Sequence, residues 1–351
     1  MSLQDKTDPY SATSHIRRHL IGDGYDIIFD LVNSHGSWVV DARDGQEYLD
    51  FYTFFASLPL GFNHPAFLEP EISGRIGKAA LHKPANSDAH TCELAGFVDT
   101  FSKLAMPSSF KHLFFIEGGG LAVENALKTA FDWKSRKNKQ AGKQGVEGDM
   151  ILHFQEAFHG RTGYTMSLTN TSPEKTALYP QFEWPRVSNP KIHFPLNEKE
   201  VSRLCSAEGE SLDQIQKAFQ SSGDRIAAII IEPIQGEGGD NHFRPEFFRS
   251  LRSLADENEA LLIFDEVQTG FGLTGEMWAY ENFGVCPDIL CFGKKSQVCG
   301  IMAGPRIDEV EDNVFRVSSR INSTWGGGLV DMIRCETILE TIQAEGLVGN
   351  A

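Results

Sequence analysis

The sequence predicts an α/β fold: a mostly parallel central sheet with helices on both faces, preceded by a small N-terminal segment. Three observations carry that expectation. Short continuous apolar runs recur from about residue 61, amphipathic stretches of helical length lie between several of them, and no repeat or low-complexity tract interrupts the pattern. A strand covered on both faces reads as an unbroken apolar run, whereas one with a wet face alternates, so runs joined by helices indicate a parallel sheet with helices on either side. At 351 residues the chain suits two domains, or one large domain with an appendage.

Taken in order, Trp38–Asp41, a turn at Asp44-Gly45 and Tyr48–Phe51 read as a hairpin within the first sixty residues. The buried-strand candidates are Leu113–Ile116, Met150–Phe154, Ala227–Ile231, Ala260–Phe264 and Ile289–Phe292. Helices are expected at Leu121–Ser135, Glu246–Glu257, Glu276–Phe283 and Leu329–Ala344. The polar stretches Arg136–Gly148 and Asn197–Asp224 read as surface connections or short insertions.

Composition narrows the functional class. The chain carries 48 acidic and 32 basic residues, a net charge of −16, which argues against non-specific nucleic-acid binding because that needs clustered cations. Its apolar runs fall far short of the ~20 residues a membrane helix needs. The amino end lacks an apolar leader segment, and six dispersed cysteines without a CxxC pair suit reduced, mostly packed thiols. A cytoplasmic protein is expected, with the sequons at Asn170 and Asn322 accidental.

Three motifs mislead. ALLIFDE, residues 260–266, resembles a Walker B strand, but no GxxxxGK[ST] loop accompanies it. Gly270–Gly275 matches GxGxxG, yet Asp265–Thr269 separate it from the strand end where a dinucleotide fingerprint must sit. His15 and His19 have helical spacing without a third ligand nearby, so no metal is expected.

Three other features fit one another. LFFIEGGGLAVENALK, residues 113–128, runs from a strand through three glycines into a helix, an anion cradle of open N–H groups and a positive dipole end. Asp265 and Lys294 end successive strands one crossover apart, so both emerge at the carboxyl edge where open α/β sheets bind ligands. A carboxylate at the ring nitrogen of pyridoxal phosphate keeps it protonated, and a lysine opposite forms a Schiff base. On an extended segment only one of Lys294 and Lys295 faces the crevice. The loop Gln155–Thr162 adds Phe158, His159 and Arg161 at the same edge: a ring to stack, an imidazole, and a guanidinium able to grip a carboxylate.

FHGRTGYTMSLTN, EPIQGEGGDNHF and LLIFDEVQTGFGLTGEMWAYENFGVCPDILCFGKKSQVCG resemble the class III, fold-type I aminotransferases that use pyridoxal 5'-phosphate. GGLAVENALKTAFDWKSRKN, FGKKSQVCG and RINSTWGGGLVDMIRCE are similar to the branch acting on the side-chain amine of lysine, rather than on ornithine or 4-aminobutyrate. The similarity covers roughly residues 20–345.

The resemblance implies that Lys294 holds the cofactor, Asp265 pairs with its ring nitrogen and Gln268 contacts its ring oxygen. Gly119 and Gly120 would bind the phosphate and Phe158 would stack on the ring. Asn322, Ser323 and Thr324 would reach the phosphate of the neighbouring subunit's cofactor, which implies a homodimer with shared sites. Arg161 would hold the α-carboxylate of L-lysine, with 2-oxoglutarate as acceptor, and Glu237 would switch on and off an Arg partner between the two substrates. Residues 1–60 then belong to a small domain, 61–330 form the cofactor-binding domain, and 331–351 begin a C-terminal small domain that is cut short, together with the Arg partner of Glu237. Another ω-aminotransferase, or a shortened and catalytically silent chain, are the alternatives.

Overall fold

The computed structural model describes residues 8–351, so part of the leader reading, on residues 1–7, lies outside the described residues. The chain divides into two units, one ending at Arg75 and one running from Ile76 to Ala351.

In the first unit a helix spans Pro9–Ile16, with proline at its start and Asp8 accepting from the N–H of Tyr10. His15 is in that helix, His19 lies past its end, and both are exposed. The expected hairpin forms from β1 (Trp38–Val40) and β2 (Glu47–Leu49), antiparallel with Trp38 opposite Leu49. Thr53, Phe54, Phe55 and Ala56 then run through a left-handed turn, with φ of 47°, 49°, 58° and 64°. L-residues avoid this region because Cβ crowds the carbonyl. Here the Phe54 ring, 5.5–5.9 Å from those of Tyr52, Phe29 and Phe62, helps to hold it.

The second unit is built on a sheet of β3 (His112–Ile116), β4 (Met150–Phe154), β5 (Arg186–Val187), β6 (Ile226–Ile231), β9 (Leu261–Asp265), β10 (Ile289–Phe292) and β11 (Cys299–Ala303). A two-stranded ribbon of β7 (Ile234–Gln235) and β8 (Asn241–His242) stands apart from it. Among the described residues the sheet order is β3-β11-β10-β9-β6-β4-β5, and β11 alone runs against its neighbours. Every residue of β6, β9 and β10 is buried, as strands with helices on both sides must be. Ala228, Ile230, Ile263 and Cys291 share a core cluster with Ala126, Leu127 and Ala130 of the helix Gly119–Gln140. Their chain neighbours face the other way: Phe264 meets Phe248 of the helix Pro245–Glu257 at 5.5 Å, and Phe292 meets Phe101 of the helix Cys92–Leu104 at 5.0 Å. The helix Leu329–Ala344 has its expected bounds and packs on Cys92–Leu104.

Four expectations are corrected. Asn197–Asp224 is not a surface connection but holds a 25-residue helix, Glu198–Ser222. Its inner face is half polar: Glu208 pairs with Arg244, whose Nε lies 2.9 Å away, and the Ser211 hydroxyl donates to the Ser188 oxygen at 2.7 Å. The apolar stripe is therefore reduced to Leu204, Ile215 and Phe219. Arg136–Gln140 likewise continues the preceding helix, where Asn138 donates to the oxygens of Val146 and Asp224. Glu276–Phe283 forms only a 3-10 turn, Ala279–Asn282. The N–H groups of Ala279 and Tyr280 bond to the Glu266 carboxyl at 2.6 and 2.9 Å, and the buried Trp278 indole donates to Ala105. Those tertiary partners replace the helical ones. Gly270–Gly275 is a run of turns after β9. All six cysteines are free, and three of them, Cys291, Cys299 and Cys335, are buried rather than most.

Candidate active site

Parallel strands end at one edge of a sheet, and that edge collects the site. β9 ends in Asp265, which lies in register with Cys291 of β10. Lys294 follows β10 by two residues. Glu232 follows β6, the Phe158 loop follows β4, and Gly118–Gly120 follow β3.

Asp265 is 5% exposed. Its Oδ1 accepts from the Val267 N–H at 3.1 Å, and its Oδ2 lies 2.8 Å from His159 Nδ1. The imidazole is fully buried, its main-chain N–H bonds to the Thr169 hydroxyl, and its Nε2 meets no partner among the described residues. With the proton on Nδ1 the ring donates to Asp265 and fixes the carboxylate plane. Glu232 accepts from the Phe158 N–H at 2.8 Å, which anchors the base of that aromatic side chain. Burial, and then the charge of Asp265, push the Glu232 carboxyl well above the usual carboxylate range, favouring the neutral acid.

Lys294 Nζ donates to Gln268 Oε1 at 2.7 Å. Burial lowers the pKa of this amine against the opposing pull of Asp265, Glu232 and Glu237, which favours the neutral nucleophile. The extended segment expected here is corrected: Lys294–Ser296 form a 3-10 turn, with Lys294 at φ 52°. Non-glycine residues held in that region concentrate at functional sites. The turn sends Lys295 elsewhere, into the interior, where its ammonium donates to the main-chain oxygen of Gln268. Burial, and then the nearby Lys294, push the Lys295 amine down to about 7.

The cradle is the start of the 22-residue helix Gly119–Gln140. Gly118, at φ 101°, caps it without a side-chain bond, which leaves its first N–H groups facing outward. The Phe158–Arg161 loop lies against it: a Cβ on Gly160 would stand 2.7 Å from the Gly120 Cα. Glu124, one turn into the helix, accepts from the Thr162 hydroxyl at 2.6 Å and the Tyr164 N–H at 2.7 Å, tying loop to cradle. A bare helix start, a buried carboxylate and an amine of lowered pKa suit a planar cofactor with an anionic tail, so the residues present fit pyridoxal phosphate.

The structure thus brings Asp265, Lys294, Gln268, Phe158, Gly119 and Gly120 to one edge. Arg161 is exposed and meets no hydrogen-bonding or ionic partner among the described residues. Glu237 is paired with Lys175. Asn322 and Thr324 are exposed; Asn322 and Ser323 bond within their own turn, and no hydrogen bond among the described residues joins residues 322–324 to the Asp265 cluster.

His159, Glu232, Glu124, Lys295 and Lys175 are the residues that sequence reasoning left without roles. His159 and Lys295 adjoin quoted site residues, and Glu232 ends a recognised strand, so position was their signal. Lys175 carries no such mark.

A model of the family "Aminotransferase class-III" matches residues 22–351. The chain is 54% identical to the L-lysine-epsilon aminotransferase of Mycobacterium bovis, over 98% of this chain and 76% of that protein. With the protein of the same name from Amycolatopsis lactamdurans it shares 50% identity, over 95% of this chain and 74% of that protein. The solved lysine aminotransferase from M. tuberculosis, in its internal aldimine form, superposes with a TM-score of 0.95 at 53% identity, over 98% of this chain and 78% of that one.

Proposed function

Because the chain belongs to the class-III aminotransferases and is a transaminase that uses pyridoxal phosphate, we propose that it transfers the ε-amino group of L-lysine to 2-oxoglutarate. The products are 2-aminoadipate 6-semialdehyde and L-glutamate. The observation that carries the reading is Arg161, an exposed guanidinium with no partner among the described residues, on the loop that also presents Phe158. A donor gripped there by its α-carboxylate keeps that end at Arg161 and extends its far amine toward Lys294. The names of the relatives at 50–54% identity support the same donor.

When bound, pyridoxal phosphate supplies an electron sink for the substrate carbon. The chain's residues do the rest. The N–H groups of Gly119 and Gly120 bind the phosphate, and Phe158, anchored through Glu232, covers one ring face. Asp265, oriented by His159, puts a negative charge at the ring nitrogen. Gln268 aims Lys294, and the Lys294 amine moves the proton at the ε-carbon of lysine. Asn322, Ser323 and Thr324 complete the phosphate site of the other protomer in a homodimer. In this reading the enzyme serves lysine catabolism in the cytoplasm.

Isotope placement tests the reading. Lysine labelled with nitrogen-15 at the ε position should pass its label to glutamate, and lysine labelled at the α position should not. Label arriving from the α position, or no transfer from lysine at all, would overturn the assignment.

A further inference from the structure

Successive lysines close on opposite ends of one glutamine. Lys294 Nζ donates to the side-chain oxygen of Gln268 at 2.7 Å, and Lys295 Nζ donates to the main-chain oxygen of the same residue. An extended segment would send neighbouring side chains to opposite faces, whereas the 3-10 turn Lys294–Ser296 brings both amines to Gln268. The loop that carries Gln268 away from β9 is tied at its ends: the Glu266 N–H bonds to Cys291 at 2.9 Å, and the Gly270 N–H to Glu266 at 3.1 Å. Between those ties, Lys295 is the one hydrogen-bonding partner that the Gln268 main-chain oxygen meets among the described residues. The far end of the side chain is confined too, because a Cβ on Gly236 would stand 2.7 Å from Gln268 Nε2.

We infer that Lys295 is a positioning residue: it holds the Gln268 main chain from inside the protein and so sets where the Gln268 amide meets Lys294. This rests on the reading that Lys294 carries the cofactor and that Gln268 aims it, and it holds whichever amine is the donor. A glutamine side chain is flexible, so its amide can aim a neighbour only while its root is fixed and its end is boxed in. Gly236 boxes the end, and Lys295 fixes the root.

The burial of Lys295 argues for such a role. The residue is 4% exposed, and its amine meets a single acceptor among the described residues. An amine buried with one acceptor stabilises a fold less than an apolar side chain of the same shape. What it provides here is the hold on Gln268. Burial, and then Lys294, lower the amine to about 7 against the pull of Glu266, yet the hold does not depend on charge, since a neutral amine still carries N–H donors.

The test reads the bound cofactor as well as turnover. In the holoenzyme, Gln268→Ala should shift the pH midpoint of the visible cofactor absorbance by about half a unit or more, and Lys295→Met should shift it in the same direction by a smaller amount. In the Gln268→Ala background, Lys295→Met should add no further shift, because the residue it acts through is gone. At steady state Lys295→Met should lower kcat about tenfold and leave the KM for the amino donor within about twofold, the pattern of lost aim rather than lost binding. Lys295→Leu, which also lacks a donor, replaces the Met variant if that one does not accumulate. Equal shifts in the two backgrounds would overturn the inference, as would a lowered Tm with midpoint and kcat unchanged; either result leaves the reading of Gln268 standing. No shift in Gln268→Ala itself would overturn both.

Discussion

Asp265, Glu232 and Lys294 lie close enough to act on one another electrostatically. His159 donates to Asp265, while Glu232, buried beside it, favours the neutral acid. Asp265→Asn keeps the shape and, with its amide oxygen turned to His159, that contact, but it loses the acceptor for the Val267 N–H and the charge that stabilises a protonated ring nitrogen. The variant should fold with a stability loss of about 1–2 kcal/mol and lose about a hundredfold or more in kcat, measured by steady-state turnover alongside thermal unfolding. Turnover within a few-fold of the parent would contradict the role given to Asp265. Lys295 makes a different statement, about stability. Its amine is lowered from 10.5 to about 7, so between those values the unfolded chain holds a proton that the folded chain has lost. Folding therefore gains from Lys295 deprotonation as pH rises above 7, whereas below 7 both states are charged and the burial cost is present in full. Relative to Lys295→Met, the parent should gain about 2 kcal/mol of unfolding free energy between pH 7 and 9, read from denaturant curves at each pH. A difference that does not change with pH would show that Lys295 keeps its proton.

At the scale of elements, the apolar runs of β4, β6, β9 and β10 were legible almost to the residue, because a strand buried on both faces leaves an unbroken apolar signature. The helix Glu198–Ser222 was not, since Glu208 and Ser211 sit on its inner face and owe their burial to Arg244 and Ser188, partners remote in sequence. The same reason hid Glu124, whose role exists only once the Thr162 loop is brought to it. The roles suggested for Asp265 and Lys294 rest on a crossover spacing that the sequence displays directly. No periodic signal foretold the left-handed turn Thr53–Ala56. Its last residue offers a clean probe, because glycine tolerates φ 64° and the only side-chain loss is one partly buried methyl group. Ala56→Gly should stabilise the protein by about 0.5–1 kcal/mol in thermal unfolding. A lowered Tm would show that the turn is not strained.

At the scale of the second unit, the direction of six strands explains why one edge is chemical and the other is not. With β3, β4, β5, β6, β9 and β10 all pointing the same way, the segments that leave them carry the glycine cradle, the Phe158 loop, Glu232, Asp265 and Lys294 to a common side. The antiparallel β11 returns the chain from that side, which is how Cys299 comes to lie in register with Ile116 and against Gly293. The account as a whole rests on Lys294 as the residue that carries the cofactor, with Lys295 turned inward. Borohydride reduction of the holoenzyme fixes the cofactor to whichever amine holds it, and peptide mass mapping then names that amine. The account predicts a pyridoxyl group on Lys294; the same group on Lys295, or on neither lysine, would contradict it.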